Sequence, residues 1–130
     1  MIGVDTNILV RLLTADDAAQ HATVLRFFES RSVNEPAFVS AVTMAKTIWV
    51  LRFRYRLPHT DILEAVASFL DTDDFVVEGR DMLSVARDIG RPALLTDFLV
   101  AYLGERAGCS RTLTFDRRAA KSVPGMELLS

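Results

Sequence analysis

The chain has 130 residues, half of them apolar and a quarter charged, with a formal charge of −2. That is the make-up of one ordinary soluble globular domain over residues 1–130, large enough to bury a core without staples. The slight acidity excludes a global pull toward nucleic acid, so any such binding needs a local basic patch. Cys109 is the only cysteine, which excludes an intramolecular disulfide or a cysteine-rich metal site and suits a cytoplasmic setting.

The chain opens directly into a strand at Ile2–Val4 and runs at once into a helix, so no signal peptide is expected. No apolar run reaches the length a membrane helix needs. Asp5 or Thr6 is placed to cap the first helix, on which Ile8, Leu9, Leu12 and Leu13 recur at helical spacing. A second helix lies in "TADDAAQHATVLRFFESR", capped by Asp16 or Asp17, with Ala18, Ala22, Leu25 and Phe28 expected on its inner face. After the turn at "NEP", "AFVS" reads as a strand. "AVTMAKTIWVLRFRY" returns to helix with Val42, Ala45, Trp49 and Phe53 in line, and Pro58 ends it. The cleanest amphipathic helix follows in "HTDILEAVASFLD", turning Ile62, Ala65, Val66, Phe69 and Leu70 inward. "FVV" is a strand and "GRDMLSVARDIG" a helix closed by Gly90. "TDFLVAYLGERAG" is apolar nearly all round at its start and reads as a buried helix. "RTLTF" is a strand, "DRRAAK" a helical turn and "MELL" an edge strand.

Short apolar strands alternating with helices predict an α/β fold with a parallel sheet covered on both faces. Such sheets carry their functional groups beyond the carboxyl ends of the strands. Asp5 follows the first strand, Asp116 follows the "RTLTF" strand and Asp97 heads the most apolar helix, so three acids are expected to converge at one end. Clustered carboxylates repel unless a proton or a cation intervenes. Mg²⁺ or Mn²⁺ takes oxygen ligands of this kind and neutralises charge developing on a phosphodiester. An Asp at a helix start is often only a cap; it is the three together that point to a metal site. Asp16, Asp17, Asp61 and Asp81 read as caps or solvated charges, His21 and His59 as surface residues, and Trp49 and the phenylalanines as core.

The segments "IGVDTNILVRLL", "FVSAVTMAKTIWVLRFRYRL", "TDFLVAYLGERAGCSRTLTFDRRAAK" and the closing "MELL" resemble the PIN-domain family, and within it the VapC-type toxin ribonucleases of toxin–antitoxin pairs. The resemblance runs in register over nearly the whole chain. It implies a PIN-like three-layer sandwich around a central parallel sheet of four to five short strands. It also implies Mg²⁺- or Mn²⁺-dependent RNA cleavage, a homodimer and a cognate antitoxin that blocks the site. Asp5, Asp97 and Asp116 fall on the family's acidic positions and are the implied metal ligands. Thr6 and Asn7 match its first motif, and Thr114 falls on a hydroxyl position that helps hold the site.

The sequence departs from the family at one position. "VTMAKTIWVL" puts Lys46 where the pattern has a glutamate, and no acid lies nearby to replace it. An ammonium there is expected to take the metal's place by pairing with Asp5 or Asp97, unless it snorkels to water. The expectation is weak metal binding and weak or absent nuclease activity. Thr43 and Lys46 also stand at the spacing of a capping box, which normally ends in Glu or Gln, although Ser40 is an alternative cap. Arg52, Arg54 and Arg56, with Tyr55 between them, and Arg117, Arg118 and Lys121 are candidate contacts for RNA or for the antitoxin. Two other classes compete. One is a non-catalytic module that binds antitoxin or RNA without cleaving. The other is a phosphotransfer protein, suggested by Asp5-x-Asn7 but lacking that motif's second acid.

Overall fold

The computed structural model describes residues 1–130 throughout. In chain order the elements are β1 (Ile2–Gly3), α1 (Thr6–Leu13), α2 (Ala18–Glu29), β2 (Ala37–Val39), α3 (Ala41–Phe53), α4 (His59–Leu70), β3 (Phe75–Val77), α5 (Arg80–Ile89), a 3₁₀ turn (Pro92–Leu94), α6 (Leu95–Arg106), β4 (Thr112–Thr114), α7 (Arg117–Ser122) and β5 (Met126–Leu128). Every strand and helix expected from the sequence is present. The chain divides into two compact units, Met1–Glu78 and Gly79–Ser130. No helix is long and apolar enough to cross a membrane.

In the first unit the strands pair in the order β1-β2-β3, parallel throughout. Parallel neighbours require a crossover between strands, and helices supply both. The register aligns Gly3 with Phe38, and Val39 with Val77. The chain therefore leaves all three strands at the same end, through Asp5, Ser40 and Glu78. β1 stands at the edge of this sheet, and Ile2 is exposed.

Side chains at these strand ends start the helices. Asp5 caps α1 and accepts the Thr6 N–H at 2.7 Å. Asp17, not Asp16, caps α2 through the Gln20 N–H at 3.0 Å. Ser40 caps α3 through the Thr43 N–H at 3.0 Å, so Thr43 is not the cap and the Thr43–Lys46 capping box does not form. A second partner satisfies the same helix start, because Glu78 accepts the Ala41 N–H at 2.7 Å. Orphan amides at a helix start need such partners.

The buried faces of two helices differ from the expected ones. On α3 the core takes Ala41, Met44, Thr47, Ile48 and Leu51, while Val42, Trp49 and Phe53 face outward, with Trp49 56% exposed. The helix is apolar on nearly every side, so periodicity alone fits two faces equally well. On α2 Val24 is buried, whereas Ala18, Ala22 and Leu25 are exposed. Phe28 instead joins an aromatic cluster, with ring centroids 5.0 Å from Phe27 and from Phe75, and Phe69 lies 4.9 Å from Phe75. Such pairs add about 1 kcal/mol each beyond area burial. On α4 the expected face holds: Ile62, Val66, Phe69 and Leu70 are buried, with Ala65 partly so.

In the second unit β4 and β5 form a two-stranded parallel sheet, with Thr112 opposite Met126 and Thr114 opposite Leu128. The five strands thus lie in sheets of three and two, all parallel. Helix α5 ends at Gly90, whose φ of 72° is the left-handed cap a glycine provides without strain. Leu95, Phe98, Leu99 and Ala101 of α6 are buried, but Val100 and Leu103 are exposed, so this helix is buried on one side only. Gly104 lets α6 approach β4: a Cβ there would lie 2.7 Å from the Thr112 hydroxyl, too close to tolerate.

Candidate active site

In the first unit, the strand ends and the first turns of α1 and α3 are tied together. The Thr6 side chain is buried, and its hydroxyl donates to the Thr43 carbonyl at 3.3 Å. Thr47, also buried, donates to the same carbonyl at 2.8 Å. These bonds fix Asp5 beside α3. Lys46 reaches across, and its Nζ lies 3.7 Å from Asp5 Oδ1. Of the two pairings expected for Lys46, the one with Asp5 forms. Both side chains stay open to water, at 60% and 66% exposure. The contact is thus a screened surface pair, which contributes about 1 kcal/mol at most.

Asp5 and Lys46 open onto a cleft of about 530 Å³, which also receives Asn7, Arg11, Asp16, Arg54 and Tyr55. At its far side the Tyr55 hydroxyl donates to Asp16 Oδ2 at 2.7 Å, and Thr14 donates to Oδ1 at 2.8 Å. Arg11 closes this network, with Nε donating to Gln20 at 2.7 Å and Nη1 to the Tyr55 oxygen at 3.3 Å. The bond from Tyr55, then that from Thr14, and then the Arg11 charge hold Asp16 below its ordinary pKa. Asp16 is therefore a structural acceptor rather than a cap or a free charge. No local spacing announced this, since Asp16 and Tyr55 are 39 residues apart. His21 is half-buried, with Nδ1 donating to the Arg11 carbonyl at 2.6 Å.

Arg54 and Tyr55 are the members of the "RFRYR" stretch that line the cleft. Arg52 turns back to the Leu57 carbonyl at 3.3 Å, and Arg56 takes a left-handed backbone at φ 55°.

The second unit carries Asp97, Thr114, Asp116, Arg117 and Arg118. Asp116 caps α7, its Oδ1 accepting the Arg118 and Ala119 N–H groups at 2.9 and 3.1 Å. The Thr114 hydroxyl accepts the Asp116 N–H at 3.0 Å, fixing the turn that presents the carboxylate. Asp97 lies in the first turn of α6 and is half-buried. Burial, and then repulsion from Asp116, push its pKa up, partly offset by the Arg118 guanidinium. Asp116 is thus close enough to Asp97 to disfavour ionisation of the Asp97 carboxyl. Arg117, Arg118 and Lys121 are exposed.

The donor sets differ in what they suit. Asp5 gives one oxygen to an N–H and an ammonium, and an ammonium beside a single carboxylate does not suit a hard divalent cation. Asp97 and Asp116 do, since Mg²⁺ is commonly held by one or two carboxylates with water completing the shell. Within neither unit do three or more His, Cys, Asp or Glu side chains gather as a ready-made cage. Glu78, the further acid at a strand end, is engaged with the start of α3.

Parallel strands that deliver acids into the loops beyond their carboxyl ends mark α/β proteins that act on ligands at that edge. Residues 2–124 match the PIN domain family, and the chain belongs to it. The parallel α/β fold is PIN-like, and PIN domains are generally metal-dependent nucleases. None of the curated proteins matches the chain significantly.

Proposed function

We propose that residues 1–130 are a single PIN domain acting as a VapC-type toxin endoribonuclease of a toxin–antitoxin pair, in which Lys46 weakens or abolishes RNA cleavage. The observation that carries this reading is the 3.7 Å contact of Lys46 with Asp5 in the cleft of the first unit. Asp5, Asp97 and Asp116 are the acting acids, and Thr114 is the positioning residue for Asp116. Asp97 and Asp116 would hold Mg²⁺ or Mn²⁺. When bound, the ion neutralises charge on the phosphodiester and lowers the pKa of water. Burial, and then the charge of Asp116, disfavour the ionised form of Asp97, a cost that a cation there would relieve. Asp5, paired with an ammonium, is withdrawn from that task. The reading includes a cytoplasmic setting, a cognate antitoxin and a homodimer, with Arg52, Arg54, Arg56, Arg117 and Arg118 available to RNA or to the antitoxin.

The same contact favours a second reading, a PIN module that binds RNA or antitoxin without cleaving. One assay separates them: cleavage of single-stranded RNA with Mn²⁺ by the parent, by Lys46→Glu, and by Lys46→Glu combined with Asp116→Asn. The toxin-type nuclease reading expects Lys46→Glu to cut at least about ten-fold faster than the parent, and the double variant to be inert. Equal cutting by the parent removes the weakening role of Lys46. Failure of Lys46→Glu to cut overturns the nuclease reading in favour of the binding module.

A further inference from the structure

We infer that the cleft of the first unit binds the backbone of single-stranded RNA without any metal ion, with Lys46 and Arg54 as its phosphate contacts and the Tyr55 ring as its base-stacking surface. The inference rests on the RNA reading above but not on cleavage.

The charges facing the cleft are Asp5, Asp16, Arg11, Lys46 and Arg54, which leaves a net of +1. Their partners decide which of them are available. Arg11 and Asp16 satisfy each other at 3.4 Å, and both are tied further to Gln20, Thr14 and Tyr55. Lys46 is held only by its screened contact with Asp5. Arg54 takes part in none of these pairs, and its backbone N–H simply ends α3 on the Val50 carbonyl. An anion entering the cleft therefore meets two accessible cations. A phosphate that displaces the weak Asp5 contact exchanges one screened pair for another.

The geometry selects a polymer. Lys46 and Val50 on α3 and Arg54, its C-cap, follow at four-residue intervals and so share one face, and all three line the cleft. At 1.5 Å per residue the Lys46 and Arg54 backbones stand about 12 Å apart along the helix direction. That separation exceeds one nucleotide step and suits two non-adjacent phosphates of an extended strand better than one compact anion. Between them lies the apolar Val50, and beside Arg54 lies Tyr55, whose hydroxyl is anchored to Asp16 at 2.7 Å. A tethered ring pays little entropy on stacking, and unpaired bases stack readily on aromatic faces. The volume, about 530 Å³, falls within the range of small-molecule sites. That suits a short stretch of backbone with an unstacked base rather than a duplex.

The experiment is fluorescence anisotropy of a short labelled oligouridylate with the full chain in EDTA, over a series of salt concentrations. The parent is expected to bind. Lys46→Gln and Arg54→Gln should each weaken binding and flatten the log–log salt slope by about 0.7, the value for one phosphate contact on a single strand. Tyr55→Leu should weaken binding about ten-fold and leave the slope unchanged, because stacking releases no counterion. The inference is overturned if the parent does not bind in EDTA, if both charge variants keep the parental slope, or if a DNA duplex binds as tightly as the single strand. Cleavage by Lys46→Glu with Mn²⁺ and no binding by the parent in EDTA would sink this inference and leave the nuclease reading standing. The opposite pair of results would do the reverse.

Discussion

Lys46→Glu is the most informative single change, and the structure sets its size. The Lys46–Asp5 pair is 3.7 Å long and more than half exposed on both sides, so losing it costs about 1 kcal/mol at most. A carboxylate in its place, about 4 Å from Asp5, adds a repulsion of roughly 1 kcal/mol at the dielectric of water, rising to about 4 at an intermediate one. With both side chains this open the lower figure governs. The variant should therefore be about 2 kcal/mol less stable than the parent in EDTA, a fall of roughly 8 °C for a chain of this size. Lys46→Gln, which loses only the pair, should fall by half of that or less. Mn²⁺ then separates the two electrostatic situations. At about a hundred times its dissociation constant a bound ion returns about 2.7 kcal/mol, which more than restores Lys46→Glu, whereas the parent, with Asp97 and Asp116 but without Asp5 free for the ion, should gain less. Differential scanning calorimetry with and without Mn²⁺ measures all of this, and a titration gives the affinity. Equal Mn²⁺ stabilisation of both proteins would refute the competition between Lys46 and the ion. An unchanged melting temperature for Lys46→Glu in EDTA would show that position 46 does not feel the Asp5 charge.

The raised pKa of Asp97 has a defined sign. The folded state holds that proton more tightly than the unfolded chain, so the ionised form costs stability, and the cost sets in as pH rises from the ordinary value of 3.8 through the raised one. Asp97→Asn removes the charge, so urea midpoints followed upward from about pH 3.8 should fall less steeply in the variant; an identical pH dependence would contradict the shift. Ser40→Ala should cost about 1 kcal/mol through loss of the cap on Thr43, and Thr43→Ala should cost less if Ser40 is the cap, both read from denaturant midpoints. Phe98→Ala, at a fully buried position, should cost about 3–5 kcal/mol. Trp49→Ala should cost about 1 kcal/mol or less, because the ring is 56% exposed and rests on Phe53 at 5.3 Å. A Trp49→Ala loss as large as that of Phe98→Ala would place Trp49 back in the core.

What the sequence made legible was what local spacing encodes. Gly90 ends α5 because only its left-handed geometry closes that turn cheaply, and the α4 face emerges because its polar residues leave one apolar side. On α3 the rule has no purchase. Val42, Ala45, Trp49 and Phe53 repeat as regularly as Ala41, Met44, Ile48 and Leu51, and only the pairing of β1 and β2, which brings α1 beside α3, decides between them. Caps behave likewise. Ser40 and Thr43 are both competent, and the hydroxyl that wins is the one at the end of β2. For the site, Asp5 and Asp116 were readable because each lies within two residues of a strand end, and Thr114 only through the resemblance to the family. The Arg11–Asp16–Tyr55 network and the reach of Glu78 to Ala41 were not, since they join segments 37 to 44 residues apart that no motif links.

Position 46 shows that one electrostatic problem has two solutions with different consequences. A polyanionic substrate approaching Asp5 must have its charge offset, and either a divalent cation or a fixed ammonium can do that. The ion brings a second capability, since its bound water becomes a usable nucleophile near neutral pH; an ammonium brings none. On the proposed reading, substituting the ammonium would keep the attraction for phosphate and weaken the means of breaking the ester. If affinity and turnover are uncoupled at that side chain as proposed, Lys46→Glu should gain Mn²⁺ dependence and lose metal-free RNA affinity together. A variant that gained one without losing the other would mean that Lys46 touches only one of the two processes.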